Sequence, residues 1–182
     1  RRFVEGAASQ TFAAYIIAPA YHGFRLDSKE VFRFLDIAYD LGLKVVILDL
    51  LEDLREFHRA YTFKYIIKKK HFEGFLSGLD KGFRKMIMLA SFRYDLLRDS
   101  LSRLAELEIY IDISSDSFYG PQYDRVKEVV EAVGDDLVLL STRTPLAYAE
   151  ASVFRVLYSD IDDSSKEKIL RINAAKFYEH SR

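Results

Sequence analysis

Cysteine is absent from this 182-residue sequence, which excludes disulfide bonds, thiolate metal sites and a cysteine nucleophile. Amide side chains are also scarce, because the chain contains only Asn173, Gln10 and Gln122. Charged residues nevertheless make up 30% of the chain. Few thermolabile side chains together with many charged ones predict a protein from a thermophile.

Long hydrophobic runs are absent as well, and no stretch reaches the roughly 18 apolar residues that a membrane-spanning helix requires. No secretory leader pattern opens the sequence. The net charge is −1, so no overall attraction draws the chain to nucleic acid or anionic lipid. We therefore expect a cytoplasmic protein with no membrane partner, and the charge argues against a nucleic-acid partner. The length suits a single domain over residues 1–182.

Segments with strand and helix patterns alternate from one end of the sequence to the other. Lys44–Leu50 is a continuous β-branched run, which is typical of a strand that is covered on both faces. The strand candidates are Phe3–Ala8, His22–Leu26, Lys44–Leu50, Lys85–Ser91, Glu108–Ser114 and Leu137–Ser141, whereas Ser9–Tyr21 is ambiguous. This alternation predicts a parallel α/β sheet, either open and doubly wound or closed as a (β/α) barrel. No glycine-rich phosphate loop follows a strand, which weakens the nucleotide-binding sheet.

Helical spacing and capping patterns predict the helices between these strands. Asp27 and Glu30 form a capping box for the first helix, and Ser164 and Glu167 form one for a last helix that ends at Tyr178. The remaining predicted helices are Tyr94–Leu107, Tyr123–Val133, Pro145–Leu157 and Glu52–Lys70, the last as one helix or two short ones.

Several segments carry a resemblance to a known family. They are Gly23–Leu26, Gly42–Ile47, Lys85–Ser91, Ile109–Ser114, Leu139–Pro145 and Ile169–Tyr178. In this order they resemble the amidohydrolase-related family, also called amidohydrolase family 2, whose barrels commonly close with an Ile-Leu-x-x-Asn-Ala helix. The resemblance implies an α/β fold of the (β/α) TIM-type barrel kind found in metal-dependent hydrolases, here incomplete or shortened.

The same resemblance implies a divalent metal, Zn, Mn or Mg, held by histidines and an aspartate at the carboxyl ends of strands. The His-x-His strand would precede Arg1, and because the sequence starts without Met we expect its true N-terminus upstream. The next histidine position falls at Leu48, beside Asp49, and the one after it falls at Ala90 or Ser91. The aspartate position falls near Arg143.

These replacements lead us to expect a degraded metal site, no metal cofactor and a small anionic ligand at the barrel rim. The candidate catalytic residues are Asp49 and Asp112, and the candidate ligand-binding residues are Arg25, Asp27, Ser91, Ser114 and Arg143. Asp112 and Ser114 face away from the isoleucines of their strand, so a buried Asp112 needs a partner, for which Arg25 is our prediction. Asp49 either acts in chemistry or caps the next helix. Arg143 either binds an anion or pairs with a neighbouring acid.

Two other functions remain open at this point. An active metal-dependent hydrolase or decarboxylase would hold Mg or Mn through Asp27, Asp49 and Asp112, because carboxylate-only sites suit these ions better than zinc. A scaffold or RNA-associated barrel would use the basic run Lys68–Lys70, although such a run is usually a solvated helix end. Missing strands would leave an open sheet edge, so we expect further residues or self-association as a homo-oligomer to cover it.

Overall fold

The computed structural model describes residues 12–19, 21–49, 67–114, 118, 124–144 and 148–179. Within these ranges the backbone forms one parallel sheet of five strands. The strands are β1 (Ala14–Ile17), β2 (Lys44–Leu48), β3 (Ile87–Ala90), β4 (Tyr110–Asp112) and β5 (Val138–Leu139). Each strand pairs with the next one along the chain, in the order β1-β2-β3-β4-β5.

This sequential order decides between the two architectures that the sequence predicts. A doubly wound sheet reverses its strand order at a switch point, and the described sheet contains no such reversal. The winding is that of a (β/α) barrel, of which the five described strands form a part. Because all the strands are parallel, their carboxyl ends lie at one rim, where barrel enzymes carry their chemistry.

Helices and turns connect the strands. The α-helices are α1 (Lys29–Asp40), α2 (Lys69–Gly78), α3 (Tyr94–Leu97), α4 (Leu101–Glu106), α5 (Arg125–Val133), α6 (Ala149–Leu157), α7 (Asp163–Glu167) and α8 (Asn173–Tyr178). Three 3₁₀ turns, Lys81–Phe83, Arg98–Ser100 and Asp135–Leu137, and a π-helical turn, Lys168–Ile172, complete the described elements. None of the described helices is both long and apolar enough to cross a membrane.

The buried hydrophobic side chains of the described residues form one continuous cluster around the sheet. β3 is buried at every position, as its unbroken apolar sequence requires. The C-terminal helices are fixed to the sheet through Asn173, which is fully buried. Its amide donates hydrogen bonds to the carbonyls of Asp135 and Val138, both at 2.6 Å. The π-helical turn ends directly before Asn173, and the Asn173 side chain contacts the start of β5.

Four of the predicted strands are confirmed as β2, β3, β4 and β5, whereas the predicted strand His22–Leu26 is wrong. Gly23 has a positive φ of 77°, and the N–H groups of His22 and Phe24 bond locally to the carbonyls of Ala18 and Pro19. The segment is therefore a turn, and the edge strand β1 lies in the stretch that was ambiguous. Phe3–Ala8 lies outside the described residues.

Two predicted helix starts are also wrong. Ser28, and not Asp27, is the N-cap of α1, because the Asp27 carboxylate is turned toward Arg25. Asp162 precedes α7 and accepts a hydrogen bond from the Ser165 N–H at 2.9 Å, so the predicted Ser164 cap lies two residues too far along.

The basic run Lys68–Lys70 lies at the start of α2 rather than at the end of a preceding helix. Phe72 next to it is fully buried and packs on Phe92, so its ring has no face available for stacking on a nucleic-acid base. The rest of the predicted helix Glu52–Lys70, and Tyr65 within it, lies outside the described residues.

Candidate functional site

The carboxyl ends of β3, β4 and β5 meet around one buried carboxylate, that of Asp112, which is 1% exposed. Its Oδ1 atom accepts hydrogen bonds from the backbone N–H groups of Ser114 at 3.0 Å and Ser141 at 2.9 Å. Its Oδ2 atom accepts from the Ser114 hydroxyl at 2.6 Å and from the Ser91 N–H at 3.3 Å. A single side chain on β4 therefore holds the ends of both neighbouring strands.

Burial raises the pKa of Asp112, because desolvation disfavours its charged form. The hydrogen bonds from Ser114, Ser141 and Ser91 act in the opposite direction, since each donor stabilises the carboxylate. An ionised carboxylate accepts hydrogen bonds at both oxygens, which matches the donors that surround this group.

The prediction that Arg25 pairs with Asp112 is wrong. Arg25 instead donates to Asp27 in the turn before α1, from Nε at 2.9 Å and from Nη2 at 2.7 Å. Its side chain is 64% exposed, so it remains hydrated and does not have to enter the core. The structure thus brings Asp112, Ser91 and Ser114 together and places Arg25 and Asp27 as a separate pair.

The residues that leave β3 and β5 have an unusual backbone conformation. Ser91 has a φ of 54° and Arg143 a φ of 55°, both in the left-handed region that residues other than glycine rarely adopt. The Ser91 hydroxyl lies 3.3 Å from that of Ser114, which extends the hydrogen-bonded group around Asp112. Such conformations are often found at functional sites, where the surrounding contacts maintain them.

Two arginines lie at the ends of β4 and β5. Arg155 on α6 donates from Nη1 to the carbonyl of Ile113, the residue between Asp112 and Ser114. Arg143 follows the end of β5, two residues after the N–H that Asp112 accepts, and is half-buried like Arg155. Sequence reasoning predicted Arg143 but missed Arg155 and Ser141, because no local pattern marks a contact across 42 or 29 residues.

A phenol lies within electrostatic reach of this group. Burial, and then the negative charge of Asp112, raise the pKa of the Tyr178 hydroxyl. Tyr178 is 44% exposed and belongs to α8, whose Phe177 packs edge-on against Tyr110 of β4 at 5.2 Å. The Phe177 ring also lies 5.9 Å from Nζ of Lys44, so α8 meets β2 and β4 at their starts, the end opposite the rim.

Asp49 follows β2, is fully buried and joins two distant parts of the chain. Its Oδ1 accepts from the Ile67 N–H at 2.7 Å, and its Oδ2 accepts from Nε of Arg93 at 3.3 Å. Nη2 of Arg93 donates to the Ile67 carbonyl at 2.9 Å, which closes a three-residue clamp. Burial raises the pKa of Asp49, and the Ile67 and Arg93 donors oppose this rise.

These contacts do not fit a divalent metal. Of the three aspartates that could form a carboxylate site, Asp27 is paired with Arg25, Asp49 is paired with Arg93, and Asp112 is surrounded by serine donors. Nowhere in the part of the chain that the structure describes do three His, Cys, Asp or Glu side chains come close enough to hold an ion. Every oxygen of the two buried carboxylates already accepts at least one hydrogen bond, which leaves fewer lone pairs for an ion.

The clamp around Asp49 predicts a large loss of stability in Arg93→Ala. The substitution leaves a fully buried carboxylate without its cation, and we expect a loss of about 2–4 kcal/mol in the free energy of unfolding. Arg98→Ala is the matched control, since Arg98 is 59% exposed and meets Asp99 at 3.4 Å, and it should change stability by less than about 0.5 kcal/mol. Urea unfolding measures both, and equal effects would contradict the clamp.

The raised pKa of Asp112 predicts a particular pH dependence of stability. A carboxyl group with a higher pKa in the folded protein contributes stability that is complete below its ordinary value of 3.8 and is lost as pH rises through the folded pKa. The stability advantage of the wild type over Asp112→Asn should therefore be largest at acid pH and shrink toward neutrality. Urea unfolding over a pH series tests this, and an advantage that grows with pH would show the opposite shift.

Comparisons with known proteins identify the fold. No protein-family model matches the sequence, and no curated protein is significantly similar to it in sequence. Among solved structures, the chain is similar to 5-carboxyvanillate decarboxylase from Sphingomonas paucimobilis, with a TM-score of 0.68 at 14% identity over 99% of this chain and 62% of that one. It is also similar to dihydroxybenzoic acid decarboxylase from a Polaromonas species, which carries bound manganese and the inhibitor 2-nitroresorcinol.

The Polaromonas structure has a TM-score of 0.59 at 15% identity, over 87% of this chain and 56% of that one. Amidohydrolase 2 from Bifidobacterium longum subsp. infantis has a TM-score of 0.54 at 18% identity, over 86% and 57%. The chain thus spans less than two thirds of the length of each of these proteins. It has the fold of these decarboxylases and of amidohydrolase 2, and its described residues form a parallel five-stranded part of that fold.

Proposed function

We propose that this chain is an amidohydrolase-type barrel protein that binds a small anionic ligand at the rim of β4 and β5 without a resident metal. The observation that carries the proposal is the cationic, hydroxyl-rich end of these two strands. Arg155 lies against the end of β4, Arg143 follows β5, and the buried hydroxyls of Ser91 and Ser114 lie around Asp112 at the ends of β3 and β4.

Electrostatics supports an anion rather than a cation at this rim. A guanidinium presents a planar set of donors that matches the two oxygens of a carboxylate. Asp112, Ser91 and Ser114 are all buried, and hydrogen bonds already compensate the charge of Asp112. The ligand would therefore meet the half-buried arginines first, and Asp112 would hold the strand ends in place.

We infer a hydroxylated aromatic carboxylate as the ligand class. The neighbouring structures are named as decarboxylases of dihydroxybenzoic acid and 5-carboxyvanillate, and one holds 2-nitroresorcinol. In this chain a ligand carboxylate would pair with Arg143, and a phenolic hydroxyl could hydrogen-bond to Ser141, which is half-buried. These roles use side chains that this sequence has, and none of them requires a metal.

A metal-dependent decarboxylase is the second candidate, and the manganese in the Polaromonas structure is the observation that favours it. The pairing of Asp27, Asp49 and Asp112 with arginine or serine partners speaks against it. The two candidates differ in a simple way, because only the second one needs Mn²⁺ for binding or turnover.

Calorimetric titration with 2,6-dihydroxybenzoate, with and without Mn²⁺, tests the proposal. We expect saturable binding that does not require the metal, and we expect Arg143→Asn to weaken it about 10- to 100-fold, as the loss of a charge-assisted hydrogen bond predicts. Asparagine is chosen because it tolerates the left-handed backbone at this position. Arg143→Lys should bind with intermediate affinity, since it keeps the charge but loses the planar fork.

The control variant is Arg171→Ala, since Arg171 is 79% exposed in the π-helical turn and contacts Glu167. It should bind like the wild type. No binding to the wild type, or equal losses in Arg143→Asn and Arg171→Ala, would reject the anion site. Binding or carbon dioxide release that appears only with Mn²⁺ would favour the metal-dependent decarboxylase.

A further inference from the structure

A second site lies away from the rim arginines, in a cavity of about 310 Å³ between β1, the turn that follows it and α1. Ile17 and Val31 form its buried floor, at 6% and 2% exposure. Three aromatic rings surround it, those of Tyr15, Phe24 and Phe34. The rings of Tyr15 and Phe34 are in contact, with centroids 5.3 Å apart. An apolar cavity of 150 Å³ holds a benzene molecule, so this volume accommodates a larger aromatic body.

The polar groups of the cavity are at its mouth. Glu30 and His22 line it there and are both exposed. The backbone N–H of Glu30, and after it the nearby Ser28 side chain, lower the pKa of Glu30, so this residue is an anion at neutral pH. Glu30 is the one lining residue with a permanent charge among those that the structure describes. The faces of the aromatic rings add negative potential of their own.

We propose that this cavity binds a small aromatic ammonium ion, with the apolar body on Ile17 and Val31 and the cationic head between the rings and Glu30. A cation over an aromatic face gains about 0.5–1 kcal/mol at an exposed position and more when it is desolvated. The Glu30 carboxylate adds the attraction of an opposite charge at the mouth. The aromatic faces and the Glu30 carboxylate would both repel an anionic ligand. This site and the rim are therefore expected to bind ligands of opposite charge.

Charge complementarity therefore distinguishes a cation from an uncharged guest. An apolar molecule would gain only from burial on the floor of the cavity, whereas an ammonium ion gains from burial and from the rings and carboxylate together. The site lies beside the edge strand β1 and does not involve Asp112, so its occupancy is independent of the function proposed for the rim.

NMR titration of ¹⁵N-labelled protein with benzyltrimethylammonium tests the proposal. We expect saturable shifts at the amides of β1, the turn and the start of α1, and weaker binding of benzyl alcohol, which has the ring without the charge. Glu30→Gln should weaken the ammonium probe about two- to fivefold, the range expected for an exposed ion pair, and leave benzyl alcohol unchanged. Phe34→Leu should weaken it by a similar factor through loss of a ring.

Glu73→Gln on α2 is the matched control, because it removes an exposed carboxylate outside the cavity. It should bind both probes like the wild type. Thermal unfolding of each variant checks that the fold is retained, and Glu30→Gln supplies the result on its own if Phe34→Leu does not fold. No shifts in the wild type, equal affinity for benzyl alcohol, or equal effects of Glu30→Gln and Glu73→Gln would overturn the proposal.

Discussion

The rim of this sheet depends on the burial of one carboxylate. Asp112 lies at the end of β4 with almost no solvent contact, and an ion in such a place is unfavourable unless donors compensate for its lost hydration. Those donors come from Ser91, Ser114 and Ser141, which belong to the ends of three neighbouring strands. The requirement to satisfy Asp112 therefore fixes where β3 and β5 end relative to β4, and with the end of β5 the position of Arg143.

The same physical rule explains Asp49 at the end of β2. Its carboxylate is satisfied by the Ile67 N–H and by Arg93, and the arginine returns to the Ile67 carbonyl. In both cases a carboxylate at a strand end accepts hydrogen bonds from the protein's own backbone. The Polaromonas decarboxylase, which has a similar fold, carries bound manganese. Fold and chemistry are separable, because the chemistry depends on side chains at the rim and not on the sheet below.

Much of the fold could be predicted from the sequence, since β2–β5 lie in continuous apolar or alternating runs with a strong local signal. β1 was missed because its four residues lie in an alanine-rich stretch without a clear period. At the site, local alternation correctly put Asp112 and Ser114 on one face. The partner of Asp112 could not be inferred, because its donors include backbone N–H groups, such as that of Ser141, that any residue type carries. Arg25 was a plausible partner for Asp112, but it pairs with Asp27, which lies two residues along the chain.

Hydrogen exchange of individual amides measures this dependence on Asp112 most directly. In Asp112→Asn the account predicts that the amides of Ser91, Ser114 and Ser141 lose protection together, because all three donate to the same carboxylate. The Ile67 amide, which donates to Asp49, should keep its protection. A loss confined to Ser114, or an equal loss at Ile67, would contradict the claim that Asp112 holds the three strand ends together.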